Sequence, residues 1–177
     1  MSFHFERYDS NIYTPVIRKS IRDARVVNGD HYTVYLPAYD DKKLVPLLTK
    51  IKGVSWQVFS KHAKKPYHSG RLSVYPVNKG AFATSVASSK GVLCGAGFET
   101  PAEALYMGKK LLVLPIKSQL EQHYNAEALK RMGVPVLKKL KKSNLEKIQS
   151  WIDSDIRINV QYDDHTADAV SQAVAMK

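Results

Sequence analysis

The sequence predicts an α/β fold, a parallel sheet of about six strands with helices on both faces. Three observations carry that expectation. Runs such as Gly91-Val92-Leu93-Cys94 and Leu111-Leu112-Val113-Leu114 are almost continuously apolar, as strands buried on both faces are. These runs alternate with helix-length segments, which is the order of a parallel sheet crossed by helices. Glycine and proline fall where elements should end, with Pro37 after one strand, Gly108 and Gly133 after two helices, and Pro135 just beyond the second.

Taken in order, residues 1–28 are polar and aromatic with no clear period, and Tyr13-Thr14-Pro15-Val16-Ile17-Arg18 reads as a connecting segment rather than a core element. Strands are expected at 31–36, at 54–59, where apolar residues alternate, and at 71–77. Helices are expected at 42–51 and 79–88. A fourth strand at 91–94 then leads to a helix from Pro101 to Met107, and a fifth strand at 111–114 to a helix at 120–132. A short sixth strand is expected at 134–137. A helix at 143–152 opens on a Ser-x-x-Glu capping box, and 166–176 reads as a terminal helix. The domain expectation is therefore a tail or linker over 1–28 and one α/β domain over 29–177.

At 177 residues with 44% hydrophobic and 10% aromatic residues, the chain can bury one ordinary core. No apolar run reaches membrane-spanning length and the N-terminus lacks a signal-peptide core, so the expected setting is cytoplasmic, with the inner face of a membrane left open. The single cysteine, Cys94, excludes an internal disulfide and a Cys-based zinc site, and reads as a small buried residue. The formal charge of +11 asks for anionic partners. The densest cluster, Lys138-Lys139-Leu140-Lys141-Lys142, and the group Lys61, Lys64 and Lys65 read as solvated charge. No nucleic-acid-binding signature accompanies them, so nucleic acid is not an expected partner.

The stretch from Gly91 to Leu105 is the most informative. A strand, a small-residue turn through Gly95 and Gly97, and a helix start place free backbone N–H groups where a phosphate could sit. Two readings of Glu103 stand side by side. Thr100-Pro101-Ala102-Glu103 is a complete capping box with proline at the first helical position, which needs no ligand. The same carboxylate could instead face one. Glu121 is equally ambiguous, because Ser118-Gln119-Leu120-Glu121 repeats the pattern. With Gln122 and Asn125 it offers one charged and two amide side chains, which suit a hydroxyl-rich ligand, although helix and loop backbone could satisfy Asn125. Asp163, Asp164 and His165 read as a helix cap rather than metal ligands, and no metal site is expected.

The span Gly95-Ala-Gly-Phe-Glu-Thr-Pro-Ala-Glu103-Ala, then Gly108-Lys-Lys-Leu-Leu-Val-Leu-Pro115, then Glu121-Gln122-His-Tyr-Asn125-Ala, resembles the donor-binding signature of nucleotide-sugar glycosyltransferases of the GT-B fold. UDP-glycosyltransferases and the GlcNAc transferase of peptidoglycan synthesis are included in that resemblance. It implies that the chain is the C-terminal, Rossmann-like half of such an enzyme. Glu103 would accept hydrogen bonds from the ribose hydroxyls. Gly97, Phe98, Glu99 and Thr100 would cradle the diphosphate, Glu121 and Gln122 would meet the transferred sugar, and Val77 would lie near the base. Gly95 stands where many plant and animal members have a phosphate-contacting histidine, so the diphosphate would rest on backbone amides and the helix dipole.

By the same resemblance the donor is a nucleotide sugar, expected to be a UDP-linked hexose, and no cofactor is implied. The acceptor and the base that deprotonates it belong to an N-terminal domain absent from this chain, so no catalytic residue is assigned and the isolated domain is expected to be inactive. Two further readings are a natural donor-binding subunit that joins a separate membrane-bound acceptor subunit, and a non-catalytic basic nucleotide- or RNA-binding module. Sugar-nucleotide epimerases of the same fold fit less well, because their acidic and basic catalytic motifs are missing.

Overall fold

The structure is a computed structural model and describes residues 2–175. Two short strands, β1 (Ser2–Phe3) and β2 (Ile12–Tyr13), pair in parallel, and a single helical turn, α1 (Lys19–Arg22), follows. The α/β core then runs β3 (His31–Tyr35), α2 (Asp41–Leu48), β4 (Ser55–Ser60), β5 (Tyr67–Ser69), β6 (Leu72–Pro76), α3 (Lys79–Ser88), β7 (Gly91–Gly95), α4 (Glu99–Tyr106), β8 (Lys110–Leu114) and α5 (Leu120–Arg131). A 3-10 turn at Lys142–Asn144 leads into α6 (Leu145–Asp153), and α7 (Thr166–Ala175) closes the described chain. The last residue of the expected terminal helix, Met176, lies outside the described residues.

The six-stranded sheet has the order β5-β6-β4-β3-β7-β8, all parallel except the edge strand β5. The chain winds outward from β3 through β4 to β6, then crosses back to lay β7 and β8 on the other side of β3. Carboxyl ends of strands on either side of such a reversal splay apart, which leaves a crevice there. Alternation along the strands sends Val92, Cys94, Leu111 and Val113 to one face, under α3, α4 and α5. Val34, Leu93, Leu112 and Leu114 go to the other face, under α2 and α6. The amphipathic stripe of α6 buries Ile148 and Trp151 there.

The parallel α/β expectation holds, with four differences of physical interest. The segment expected as a sixth strand, 134–137, makes only the single bridge Val113↔Val136, because Pro135 and Leu137 exchange one hydrogen bond each with Val113 before the chain turns away. The sixth strand is instead β5, an antiparallel edge too short and polar to read from sequence. It is tied down by Tyr67, whose hydroxyl donates to Asp41, a buried carboxylate that also accepts from Ser60 Oγ at 2.6 Å.

The opening segment is also not a bare connector. Phe5, Ile17 and Ile21 are fully buried in the core beneath α3 and α4. Finally, none of the three Ser/Thr-x-x-Glu boxes forms. The helix containing Glu103 begins at Glu99, one residue before Thr100, and α5 and α6 open on Gln119 and Asn144 without side-chain caps. The glycine terminators do form, with Gly108 at φ 63° and Gly133 at φ 95°.

Candidate functional site

Strand β7 ends at Gly95, and Ala96, Gly97 and Phe98 turn the chain into α4. A Cβ at Gly97 would meet nothing within 4 Å, so the space above this turn is open. Phe98, the N-cap position of α4, offers no side-chain cap, which leaves the N–H groups of the first turn without a side-chain partner. The macrodipole therefore points its positive end into open space beside Gly97, Phe98, Glu99 and Thr100. The ring of Phe98 packs on Phe5, with centroids 4.8 Å apart, which fixes the approach of the opening segment to this turn.

One turn further along α4, Glu103 is 5% exposed and makes no capping bond. Its partner is Arg18, a residue outside every motif read along the chain. Arg18 Nε donates to Oε1 at 2.6 Å and Nη2 donates to Oε2 at 2.9 Å, a two-pronged ion pair. The bond to Glu103 raises the guanidinium pKa against the cost of partial burial, and the nearby charge of Glu99 adds to it. Arg18 uses two of its five N–H donors, and a carboxylate retains lone pairs after a bidentate contact, so Glu103 can still accept hydroxyls. The signal that would have revealed Arg18 is the i, i+4 pair Ile17 and Ile21, which fold a short amphipathic turn onto the core and leave Arg18 at its edge.

A second group gathers at the start of α5. Asn125 Nδ2 donates to the carbonyl of Ala96 at 3.1 Å, linking α5 to the turn before α4. Gln122 Oε1 accepts from the backbone N–H of Ile116 at 3.0 Å and lies 3.5 Å from where a Cβ at Gly95 would be. Glu121 is exposed, with Oε1 3.4 Å from Asn125 Nδ2. Gly95, Gln122, Asn125 and Glu121 are thus brought together at the ends of β7 and β8, and Gly97 and Phe98 in the turn before α4 adjoin Glu99, Thr100 and Glu103 in its first two turns. Val77 stands apart, exposed just beyond β6 and three strands away from β7 in the sheet order.

The crevice at the carboxyl ends of β3, β7 and β8 holds a cavity of about 620 Å³. Of the expected site residues only Gly95 lines it. Leu36, Tyr39, Leu114 and Ile116 form an apolar floor, and Lys117, Lys138 and Lys139 stand at its rim. Two of these lysines belong to the cluster read from sequence as solvated charge. Cys94, beneath the crevice, is fully buried, and burial pushes its thiol pKa up, which suits a packing role rather than a nucleophile. Asp164 accepts from the N–H and hydroxyl of Thr166, as a helix cap does. Among the described residues no cluster of three or more His, Cys, Asp or Glu could hold a metal ion, and no helix is long and apolar enough to cross a membrane.

The model of glycosyl transferase family 1 matches residues 3–154, which includes the opening segment, the whole sheet and α6. No curated protein matches the chain. Solved structures with a similar fold include the glycotransferase of kitacinnamycin, at TM-score 0.58 and 11% identity over 81% of this chain and 41% of that one. The spinosyn rhamnosyltransferase SpnG, complexed with thymidine diphosphate, superposes at TM-score 0.53 and 14% identity over 83% of this chain and 45% of its own. SnogD of Streptomyces nogalater gives TM-score 0.52 and 13% identity over 95% and 51%. The chain thus spans about half the length of these proteins or less, and its fold is the Rossmann-like half of a GT-B enzyme. With the family model running through the turn at Gly95, the helix that carries Glu103 and the start of α5, this chain belongs to glycosyl transferase family 1.

Proposed function

We propose that this chain is the donor-binding half of a glycosyltransferase that moves a hexose from a nucleoside diphosphate to an acceptor hydroxyl. In this reading the ribose hydroxyls donate to Glu103, held in place by Arg18. The diphosphate lies over Gly97, Phe98, Glu99 and Thr100, where backbone N–H groups and the positive end of α4 meet it. The transferred sugar turns toward Glu121 and Gln122, with Asn125 bracing the two loops, and the base approaches the backbone at Val77. A pyrimidine nucleotide is the donor we favour, UDP first, and the thymidine diphosphate bound to SpnG supports a nucleotide of that class.

The chemistry of this half is electrostatic. As the bond from the sugar to the diphosphate breaks, negative charge grows on the departing phosphate, and fixed N–H dipoles aimed at it lower the barrier without reorganising. The general base and the acceptor sit on the other half, so the isolated chain binds donor without turning it over. Residues 1–28 lead in from that half and also supply Arg18 to this one. Docking of the assembled enzyme near anionic lipid is compatible with the charge of +11.

The observation that carries the reading is Glu103: a buried carboxylate in the second turn of α4, free of the capping role its sequence allows, beside an uncapped helix start and an open turn. The test is thermal unfolding with UDP, TDP, GDP, CDP and ADP. At about a hundredfold over its dissociation constant a ligand adds about 2.7 kcal/mol, or about 5–10 °C for a domain of this size. A rise with one diphosphate that is lost in Glu103→Gln supports the reading. The same rise in the variant would remove Glu103 from the site.

A further inference from the structure

The cavity at the ends of β3, β7 and β8 lies beyond the residues assigned to ribose and diphosphate, and its chemistry differs from theirs. Three lysines line it and no carboxylate does. None of Lys117, Lys138 and Lys139 forms an ion pair among the described residues. The carboxylates next to its floor are used elsewhere. Asp40 caps its own helix by accepting from the N–H of Lys42 at 2.9 Å, and Asp41 is taken by Ser60 and Tyr67.

The rim is also held from behind. Leu137 and Leu140, on either side of Lys138 and Lys139, are buried, so the two lysines between them are turned outward. The backbone of this stretch is pinned by the bond from Leu137 N–H to the Val113 carbonyl at 2.9 Å. It is pinned again by the bond from Leu140 N–H to the Tyr39 hydroxyl at 3.1 Å, and by Asn144 Nδ2 donating to the Lys139 carbonyl at 2.7 Å. Lys117 follows Ile116, whose N–H is fixed by Gln122, and its own carbonyl lies 3.1 Å from His123 Nε2. Three exposed cationic side chains on braced backbone over an apolar floor are placed to meet an anion.

The cavity begins where Gln122 ends, because Ile116 and Gly95, which flank the Gln122 amide, are both part of its wall. We propose that this cavity takes an acidic substituent of the transferred sugar, so that the donor is a nucleoside diphosphate hexuronate or a comparably carboxylated hexose. The carboxylate is met by Lys138 and Lys139 with Lys117 on the opposite rim, and the ring lies against Leu36, Tyr39 and Ile116. The proposal rests on the donor reading above, since that reading brings the sugar to Gln122. The hydroxyls of a neutral hexose can accept from these ammonium groups but bring no charge to balance them, whereas a carboxylate does both.

The experiment uses the full chain and titration calorimetry with UDP, UDP-glucose and UDP-glucuronate, and with the thymidine series if TDP is the diphosphate that binds. The glucuronate conjugate should bind about tenfold or more tightly than the glucose conjugate, and that preference should weaken with added salt. In the double variant Lys138→Gln/Lys139→Gln the preference should disappear while affinity for the bare diphosphate stays unchanged. Equal binding of the two conjugates, or a preference that survives in the variant, would overturn the proposal and leave the donor reading standing. Loss of bare diphosphate binding in the variant would overturn it too, by assigning the lysines to phosphate. If no diphosphate binds the native chain, the donor reading fails and this proposal with it.

Discussion

Arg18 and Glu103 are 85 residues apart in the chain and meet as a fork on a carboxylate, at 2.6 and 2.9 Å. The Glu103 side chain is 6% exposed and that of Arg18 43%, so the carboxylate bears most of the cost of burial. Removing the arginine leaves a nearly buried charge without its partner. Arg18→Ala should lower unfolding free energy by about 1–3 kcal/mol, the range being reduced by solvent at the arginine. Arg18→Lys should recover only part of the loss, since an ammonium cannot make both bonds. Thr100→Ala should change stability by less than about 0.5 kcal/mol. Urea unfolding of the three variants decides between the ion pair and the capping box. A loss of about 1 kcal/mol or more in Thr100→Ala would restore the cap.

Two glycines of the same strand-turn-helix unit should respond in opposite ways to alanine. At Gly91 a Cβ would come within 2.9 Å of the Lys110 Cβ and carbonyl and 3.1 Å of the Trp151 ring, inside the packed sheet. Gly91→Ala should destabilise by about 1–3 kcal/mol. At Gly97 a Cβ meets only open space and the backbone φ is not positive, so Gly97→Ala should leave stability within about 0.5 kcal/mol. The added methyl group would occupy the space proposed for the diphosphate, and nucleotide affinity should fall about tenfold or more. Unfolding curves together with nucleotide titration separate the two effects. Unchanged affinity in Gly97→Ala would move the phosphates off this turn.

Lys109 is 1% exposed, and its ammonium donates to the carbonyls of Val27 at 2.7 Å and Ser89 at 2.9 Å. Burial, helped by the charge of Arg157, lowers its pKa to about 8 from an ordinary value of 10.5. Between those two values the unfolded chain binds more protons than the folded one, so folded-state stability should rise as pH climbs from about 8 to about 10.5. The gain is at most roughly 3 kcal/mol. A neutral amine keeps two N–H donors, enough for both carbonyls. The difference in unfolding free energy between the native chain and Lys109→Met, followed over that pH window, should shift in favour of the native chain. A flat difference would mean the folded state holds the ammonium without penalty.

The sheet was legible because parallel strands buried on both faces must be apolar throughout, and Gly91-Val92-Leu93-Cys94 and Leu111-Leu112-Val113-Leu114 advertise that locally. Gly108 and Gly133 were legible for a similar reason, since only a glycine takes a left-handed helix terminus at no cost. Strand β5 was not, because Tyr67-His68-Ser69 is too short and too exposed to show an apolar alternation and is held at the edge by Asp41 from another element. The capping boxes misled because each helix starts out of step with its box, α4 with its N-cap two residues before Thr100 and α5 and α6 with theirs one residue after Ser118 and Ser143, and backbone context chooses among such starts.

Of the candidate site, the strand-turn-helix unit around Gly95 and Gly97, the carboxylate at Glu103 and the polar group Glu121, Gln122 and Asn125 could be read along the chain. These lie within local segments, where spacing along the chain sets spacing in space. The grip of Arg18 on Glu103, and the meeting of Lys138 and Lys139 with Lys117 around one cavity, exist only in the folded chain. Charged side chains carry no periodic signature, and the partner of each is set by how distant segments pack. The pairing appears only once Ile17 and Ile21 dock on the core and the bridge from Val113 to Val136 turns the lysine run back toward β8.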